Sequence, residues 1–333
     1  MTEKEYTITF EDGIFKELFL KFIQYKRGLG FKYGREVESA LKQLNKKLNA
    51  YHMEIPRLPK EIVEKLAERI PLEASATQAK RIGFLRHFAV FLNSIGYEAY
   101  VYPQLYNVKY NSSFSPYIFS REQISAIINS SDSLGYNANS TKYHIVWPAF
   151  VRVLYGCGLR LSEALRLQVK DVNLKNGVLY IEKSKKNTSR YVPMSASLMQ
   201  YSAFYAEQMK LDMDGNGYFF PAPDNGRYGI NTAQSAIKKI YAMAGIPHMS
   251  NGRLPRVHDM RHTFSCHSLE MMQQQGFDLY YSLPILSTYL GHQGIRDTER
   301  YLRLATFKFS SIVEIEQAAW DSIIPEVIID ENE

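Results

Sequence analysis

Through most of residues 13–96, apolar residues recur at helical spacing. FKELFLKFIQYKRGLGF closes on Gly28 and Gly30, REVESALKQLNKKLNAY follows, and PKEIVEKLAERI carries Pro59 at a helix start. SATQAKRIGFLRHFAVFLNSIG opens on Ser75, a capping residue type, and stops at Gly96. Four short helices with small connections predict an antiparallel bundle, assigned to residues 1–102. The period is lost in PQLYNVKYNSSFSPYIFS, rich in Tyr, Ser, Asn and Pro, so residues 103–119 read as an interdomain linker.

From residue 120 the helical period returns and is interrupted once. QVKDVNLKNGVLYIEKSKKNTSRYVPM holds an Asn176-Gly177 turn signal, a β-rich GVLYIE run, a polar tip and RYVPM. That order predicts a small three-stranded antiparallel sheet. NTAQSAIKKIYAMAG, MRHTFSCHSLEMMQQQG, LPILSTYLG and VEIEQAAWDSII read as further helices. The fold class is therefore mainly α: a helical bundle, then an α-rich domain with one small sheet over residues 120–313.

Composition narrows the class. At 333 residues and 45% hydrophobic, the chain can bury a large core, and its length suits two domains. Two cysteines, Cys157 and Cys266, make neither a disulfide framework nor a zinc cluster, and suit a reducing interior. The opening MTEKEYTITFEDG has charges where a signal peptide needs an apolar core. The longest apolar run, HIVWPAFVRVLYGCG, is broken by Pro148 and Arg152, so no membrane span is expected and the cytoplasm is the expected location.

Charge changes the picture further. Residues 314–333 hold seven acids and no Lys or Arg, so removing that tail from a net +6 leaves +13 on the first 313 residues. A basic body with an acidic tail suits a polyanionic partner, nucleic acid first. An ordinary basic protein fits the same numbers.

The candidate chemistry begins with RVHDMRHTF, residues 256–264. His258 and His262, four apart, share a helix face as zinc ligands can. The residue after His258 is Asp259, not the Glu of the zinc-protease signature, and Arg261 would set a fixed cation beside the metal. His258 and Arg261 also share a face, and imidazole with guanidinium suits phosphoryl chemistry. Taken alone, the pair fits a polar surface helix as well. YGCGLRLSEALRL places Arg160 in a Gly-flanked turn before a helix that Ser162 can cap, with Glu163 in its first turn. EKSKKNTSR puts Lys183, Lys185, Lys186 and Arg190 around a hairpin tip, and YLGHQGIRDTERYL supplies His292 and Tyr301.

Together, in this order and spacing, GLRLSEAL, the hairpin lysine, HDMRHTF, LGH and RYL resemble the tyrosine recombinase (phage integrase) family. The motifs span about residues 118–310, and the bundle sits where the family has a core-binding, SAM-like domain. The resemblance implies a site-specific DNA recombinase. Arg160, Arg261 and His292 would contact the non-bridging oxygens of a scissile phosphate. Lys185 would protonate the leaving 5′ oxygen, His258 would act as acid/base, Tyr301 would be the nucleophile, and Glu163 would hold Arg160. Lys185 is preferred to its neighbours by matching RYVP to the family's third strand. The chemistry needs no metal, ATP or other cofactor, because two guanidiniums stabilise the transition-state charge and a protein group protonates the leaving hydroxyl.

The expected partner is double-stranded DNA with specific core sites, bound by a homotetramer on paired sites and by a monomer or weak oligomer without DNA. Candidate DNA contacts are Asn231, Thr232, Gln234, Lys238 and Lys239 on one helix, Lys80, Arg81 and Arg86 on a bundle helix, and Arg190 at the hairpin. The acidic tail, 314–333, continues an apolar helical stripe at 312–320 suited to docking on a neighbour. Two alternatives are type IB topoisomerase-like strand relaxation and a non-catalytic DNA-binding protein.

Overall fold

The helical period of residues 13–96 resolves into α1 (Lys16–Gly28), α2 (Arg35–Asn49), α3 (Lys60–Ala67) and α4 (Ser75–Ser94). The computed structural model describes residues 9–31, 33–71, 73–104, 116–138, 140–182, 189–292, 294, 298–299 and 301. The chain divides into two units, Met1–Phe114 and Ser115–Glu333. In the first unit the core is aromatic: Phe15, Phe19, Phe22 and Phe88 are fully buried, and the Phe19 and Phe88 rings stack at 4.1 Å. Such rings combine large apolar burial with favourable offset geometry. Ser75 does not cap α4. Ala74 holds the N-cap position in extended backbone, and Ser75 is already the first helical residue.

The second unit is built on α5 (Arg121–Asp132), α6 (Tyr143–Gly156), the single turn α7 (Leu161–Ala164), α8 (Ala196–Met209), α9 (Ile230–Met243), α10 (Asp259–Gln274) and α11 (Leu279–Leu290). The run interrupted by Pro148 and Arg152 is α6, which buries Trp147, Phe150, Val151 and Leu154 at the centre of the unit. Arg152 reaches out of that core to pair with Asp132 at 2.6 Å, over the ring of Tyr201. Among the described residues, no helix is long and apolar enough to cross a membrane.

The predicted sheet has strands β1 (Val172–Asn173), β2 (Val178–Ile181) and β3 (Arg190–Pro193), ordered β1-β2-β3 and antiparallel. Gly177 turns between the first two at φ 65°, a conformation that glycine adopts without a Cβ penalty. Leu179, Ile181 and Val192 face the core, while Tyr180 and Tyr191 pair on the other face at 5.2 Å. The tip between β2 and β3, with Lys183, Lys185 and Lys186, lies outside the described residues, as do most of the expected linker and the tail.

The end of the expected linker is not a loose connection. Ile118 and Phe119 are buried in the second unit, and the Phe119 amide donates to the Thr263 hydroxyl of α10 at 3.0 Å. Ser120 caps α5 through a reciprocal bond pair with Gln123. Tyr, Ser and Pro in that stretch hid two core residues from a reading based on composition.

Candidate active site

Glu163 lies at the centre of the site. Its side chain is 6% exposed, and it sits on α7, one turn after Arg160. One carboxylate oxygen accepts from the Arg160 guanidinium at 2.7 Å and the other from the Arg160 amide at 3.0 Å. Glu163 therefore caps the backbone that Ser162 was expected to cap. Its charge serves the helix start and the arginine together.

Arg190 also binds this carboxylate, at 3.1 and 2.9 Å in a fork-to-fork arrangement. Its Nε donates to the Tyr289 carbonyl at 2.8 Å, and its side chain is only 7% exposed. Arg190 thus points inward from the first residue of β3, away from the hairpin surface where a DNA contact was expected. The strand explains the direction, because Arg190 shares the buried face with Val192 while Tyr191 is 71% exposed.

Arg261 arrives from the first turn of α10 and is 1% exposed. It donates to the carbonyls of Gly158 at 2.8 Å and Leu290 at 2.6 Å, and lies 3.8 Å from Glu163. Gly158 makes the first contact feasible. It has φ 56°, and a Cβ there would stand 2.3 Å from the Phe264 ring. Gly291 ends α11 in left-handed backbone at φ 68°, which turns His292 back toward Arg261. His292 Nε2 lies 3.1 Å from the Arg261 guanidinium. Since guanidinium only donates, Nε2 is the acceptor, and Nδ1 carries the proton toward the Thr298 hydroxyl at 2.9 Å.

Tyr301 completes the cluster. It is 4% exposed, packed with Ile118, Cys266, Leu283, Leu286 and Leu290. Its ring stacks near His292 at 6.0 Å and meets His262 at 5.4 Å, and His262 in turn meets His258 edge-on at 4.8 Å. The phenol, both motif arginines, His258 and His292 thus form one continuous set of contacts within one unit. His262, Ser265 and Thr298 are members that the motif reading did not assign. The i, i+4 spacing of His258 and His262 was the available signal for the first.

The electrostatics follow from this packing. Burial alone would push Glu163 up, but the bonds and charge of Arg190, then Arg160, more than offset it and hold the carboxyl at about 2. Burial and the neighbouring Arg160 bring Arg261 down to about 10, so it stays cationic at neutral pH. Desolvation, then Arg261, Arg256 and Arg160, push the His258 imidazole down to about 4. His258 retains exposed surface, which weakens the desolvation and leaves the direction set by the cations. Burial raises the Tyr301 phenol, opposed by Arg261 and by the Ser265 hydroxyl. No group of three or more His, Cys, Asp or Glu suited to a metal occurs among the described residues.

The other expected DNA contacts divide into two kinds. Asn231, Thr232, Gln234, Lys238 and Lys239 are exposed on α9, opposite the buried Ala233, Ile237 and Ile240, and Lys80 is exposed on α4. Arg81 is committed within its own unit to Glu73 at 2.6 Å and to the carbonyls of Leu66 and Glu68, and Arg86 to the Tyr102 carbonyl. Alternating charge on a helix looks the same in sequence whether it faces solvent or braces the next loop.

The phage integrase family model matches residues 118–307. The chain is 28% identical over 295 residues to "Putative integrase/recombinase y4rB" of Sinorhizobium fredii, covering 86% of this chain and 92% of that protein. It is 27% identical over 165 residues to tyrosine recombinase XerA of Pyrococcus horikoshii, covering 49% of this chain and 52% of that one. Among solved structures, the Tn1549 transposon integrase bound to transposon right end DNA has a similar fold: TM-score 0.62, 18% identity, covering 91% of this chain and 99% of that one. XerH bound to a palindromic difH substrate gives TM-score 0.61 and 16% identity, covering 90% of this chain and 84% of that one. With the family model spanning more than half of its length, this chain belongs to the phage integrase family of tyrosine recombinases, enzymes that break and rejoin DNA in site-specific recombination.

Proposed function

We propose that Tyr301 is the nucleophile and that the Arg160–Glu163–Arg261 cluster is the phosphate-binding site it serves. The phenol attacks a DNA phosphodiester, the bond to the 5′ oxygen breaks, and a 3′-phosphotyrosine conserves the bond energy for a second strand to reverse the step. Arg160 and Arg261 neutralise the non-bridging oxygens, where charge builds in the transition state. His258, uncharged at neutral pH, accepts the phenolic proton. Lys185 protonates the departing 5′ oxygen, and His292, once DNA displaces its bond to Arg261, takes up a proton at Nε2 and donates that N–H to a phosphate oxygen. Proton donation by a side chain does the work a Lewis acid would otherwise do, so the cycle runs without metal or ATP.

The supporting observation is that the Tyr301 phenol is buried beside Arg261 of its own chain, against the ring of His292. This favours a nucleophile supplied in cis. The exposed face of α9 and Lys80 are the proposed contacts to double-stranded DNA, with a homotetramer acting on paired core sites. A nicked suicide substrate tests the assignment. Wild type should accumulate a covalent protein–DNA complex with EDTA present, and Tyr301→Phe should bind the same DNA without forming it. A covalent adduct in Tyr301→Phe, or its loss with EDTA in the wild type, contradicts this reading.

A further inference from the structure

We propose that Arg190 is a positioning residue for the recombination reaction: it locks Glu163 to the end of α11, and so sets both motif arginines and His292 at one spacing. The inference rests on the assignment of the cluster as the phosphate-binding site. Arg190 is nearly buried and has two sets of partners. Its two terminal nitrogens grip Glu163, and its Nε holds the Tyr289 carbonyl, three residues before His292. Gly291 lies against its stem; a Cβ there would stand 2.9 Å from the Arg190 Cδ. One guanidinium thereby ties β3, α7 and α11 together at the point where the reacting groups converge.

The reason such a residue is needed is electrostatic. Arg160 and Arg261 repel each other, and Glu163 is the carboxylate within ion-pair distance of both. A lone carboxylate between two guanidiniums can rotate toward either. Arg190 occupies both of its oxygens from a third side and removes that freedom, which is preorganisation of the kind that favours a transition state over a ground state. The fork geometry is specific to arginine, because lysine offers a point charge and cannot make the paired contact and the carbonyl bond together.

Arg190→Met, Arg190→Lys, Glu163→Gln and the Arg190→Met/Glu163→Gln double variant separate the outcomes, using the full chain and a suicide substrate at saturating DNA. Single-turnover cleavage by Arg190→Met should fall by roughly 10²-fold with DNA affinity and its salt dependence unchanged. Arg190→Lys should recover part of that rate. The double variant should fall no further than Glu163→Gln alone, as expected of residues acting as one unit. Weaker binding with an intact cleavage rate would mean that Arg190 contacts DNA, and would overturn the inference. So would a lowered melting temperature with the wild-type rate retained in the cold. If Arg190→Met fails to fold, Arg190→Lys decides: reduced cleavage at unchanged affinity supports the role, and a wild-type rate ends it. Absence of a covalent complex in the wild type itself would count against the nucleophile assignment instead.

Discussion

Glu163 sits 6% exposed with its two oxygens held by Arg160 and Arg190, and its depressed pKa has a defined consequence for pH. The stabilisation is full above the unfolded value near ~4.3 and is lost as pH falls through about 2, so the cluster is intact across the physiological range. His258 runs the same way in a higher pH window. Its folded value near 4 lies below the ordinary 6.5, so the unfolded chain takes up the proton first and stability falls as pH drops from about 6.5 toward 4. The same shift leaves a proton-accepting imidazole at neutral pH. An NMR titration of the free protein should show His258 with a midpoint below the ordinary 6.5, moving upward when core-site DNA brings a phosphodiester beside the guanidiniums. A midpoint near 6.5 in the free protein would contradict that picture. Only part of this is visible in the string HDMRHTF: Arg261 lies within it, but the shift comes also from burial and from Arg160, 98 positions away in the chain.

Among the elements, short connections carry more of the site than the helices do. Gly158 lies between α6 and α7, and its carbonyl receives Arg261. Gly158→Ala would place a methyl in the Phe264 ring and force left-handed backbone on a residue that resists it, a cost of about 1–3 kcal/mol for the backbone alone. Denaturant unfolding should show at least that loss, with cleavage impaired alongside; an unchanged midpoint would mean that the turn relaxes freely. The helices themselves were legible, since period 3.6 with Gly and Pro punctuation marks amphipathic segments directly. Their caps were not. Ser75 and Ser162 have the right side chains, yet Ala74 and Arg160 hold the N-cap positions, because tertiary contacts chose where each helix starts. Arg190 shows the same limit with a missed clue: strand alternation from Val192 already pointed it inward, while its basic neighbours suggested a surface tip.

For the whole molecule, charge is distributed as a basic body and an acidic end, with +13 on residues 1–313 and seven acids after them. Affinity for DNA should therefore fall steeply with salt. The apolar stripe at 312–320 overlaps the first of those acids, Glu314 and Glu316, and its helical spacing suits a contact between neighbours on paired sites. Truncation after Arg303 should spare binding to a single site and abolish recombination between two. Recombination at the wild-type level in an electrophoretic product assay would remove the docking role.

Local order along the chain determined which segments form helices and where the hairpin turns, and it held the motifs whose order and spacing carry the family resemblance. Those properties depend on side-chain period, turn chemistry and residue type, all of which are written in neighbouring positions. The tertiary structure decided that Arg190 turns into the core, that Arg81 and Arg86 brace their own unit, and that Glu163 is shared among guanidiniums from three separate elements. Each of those outcomes is a competition for partners brought close only by folding. A charged side chain takes the partner whose contact best offsets its desolvation, and such a partner can lie anywhere in the sequence.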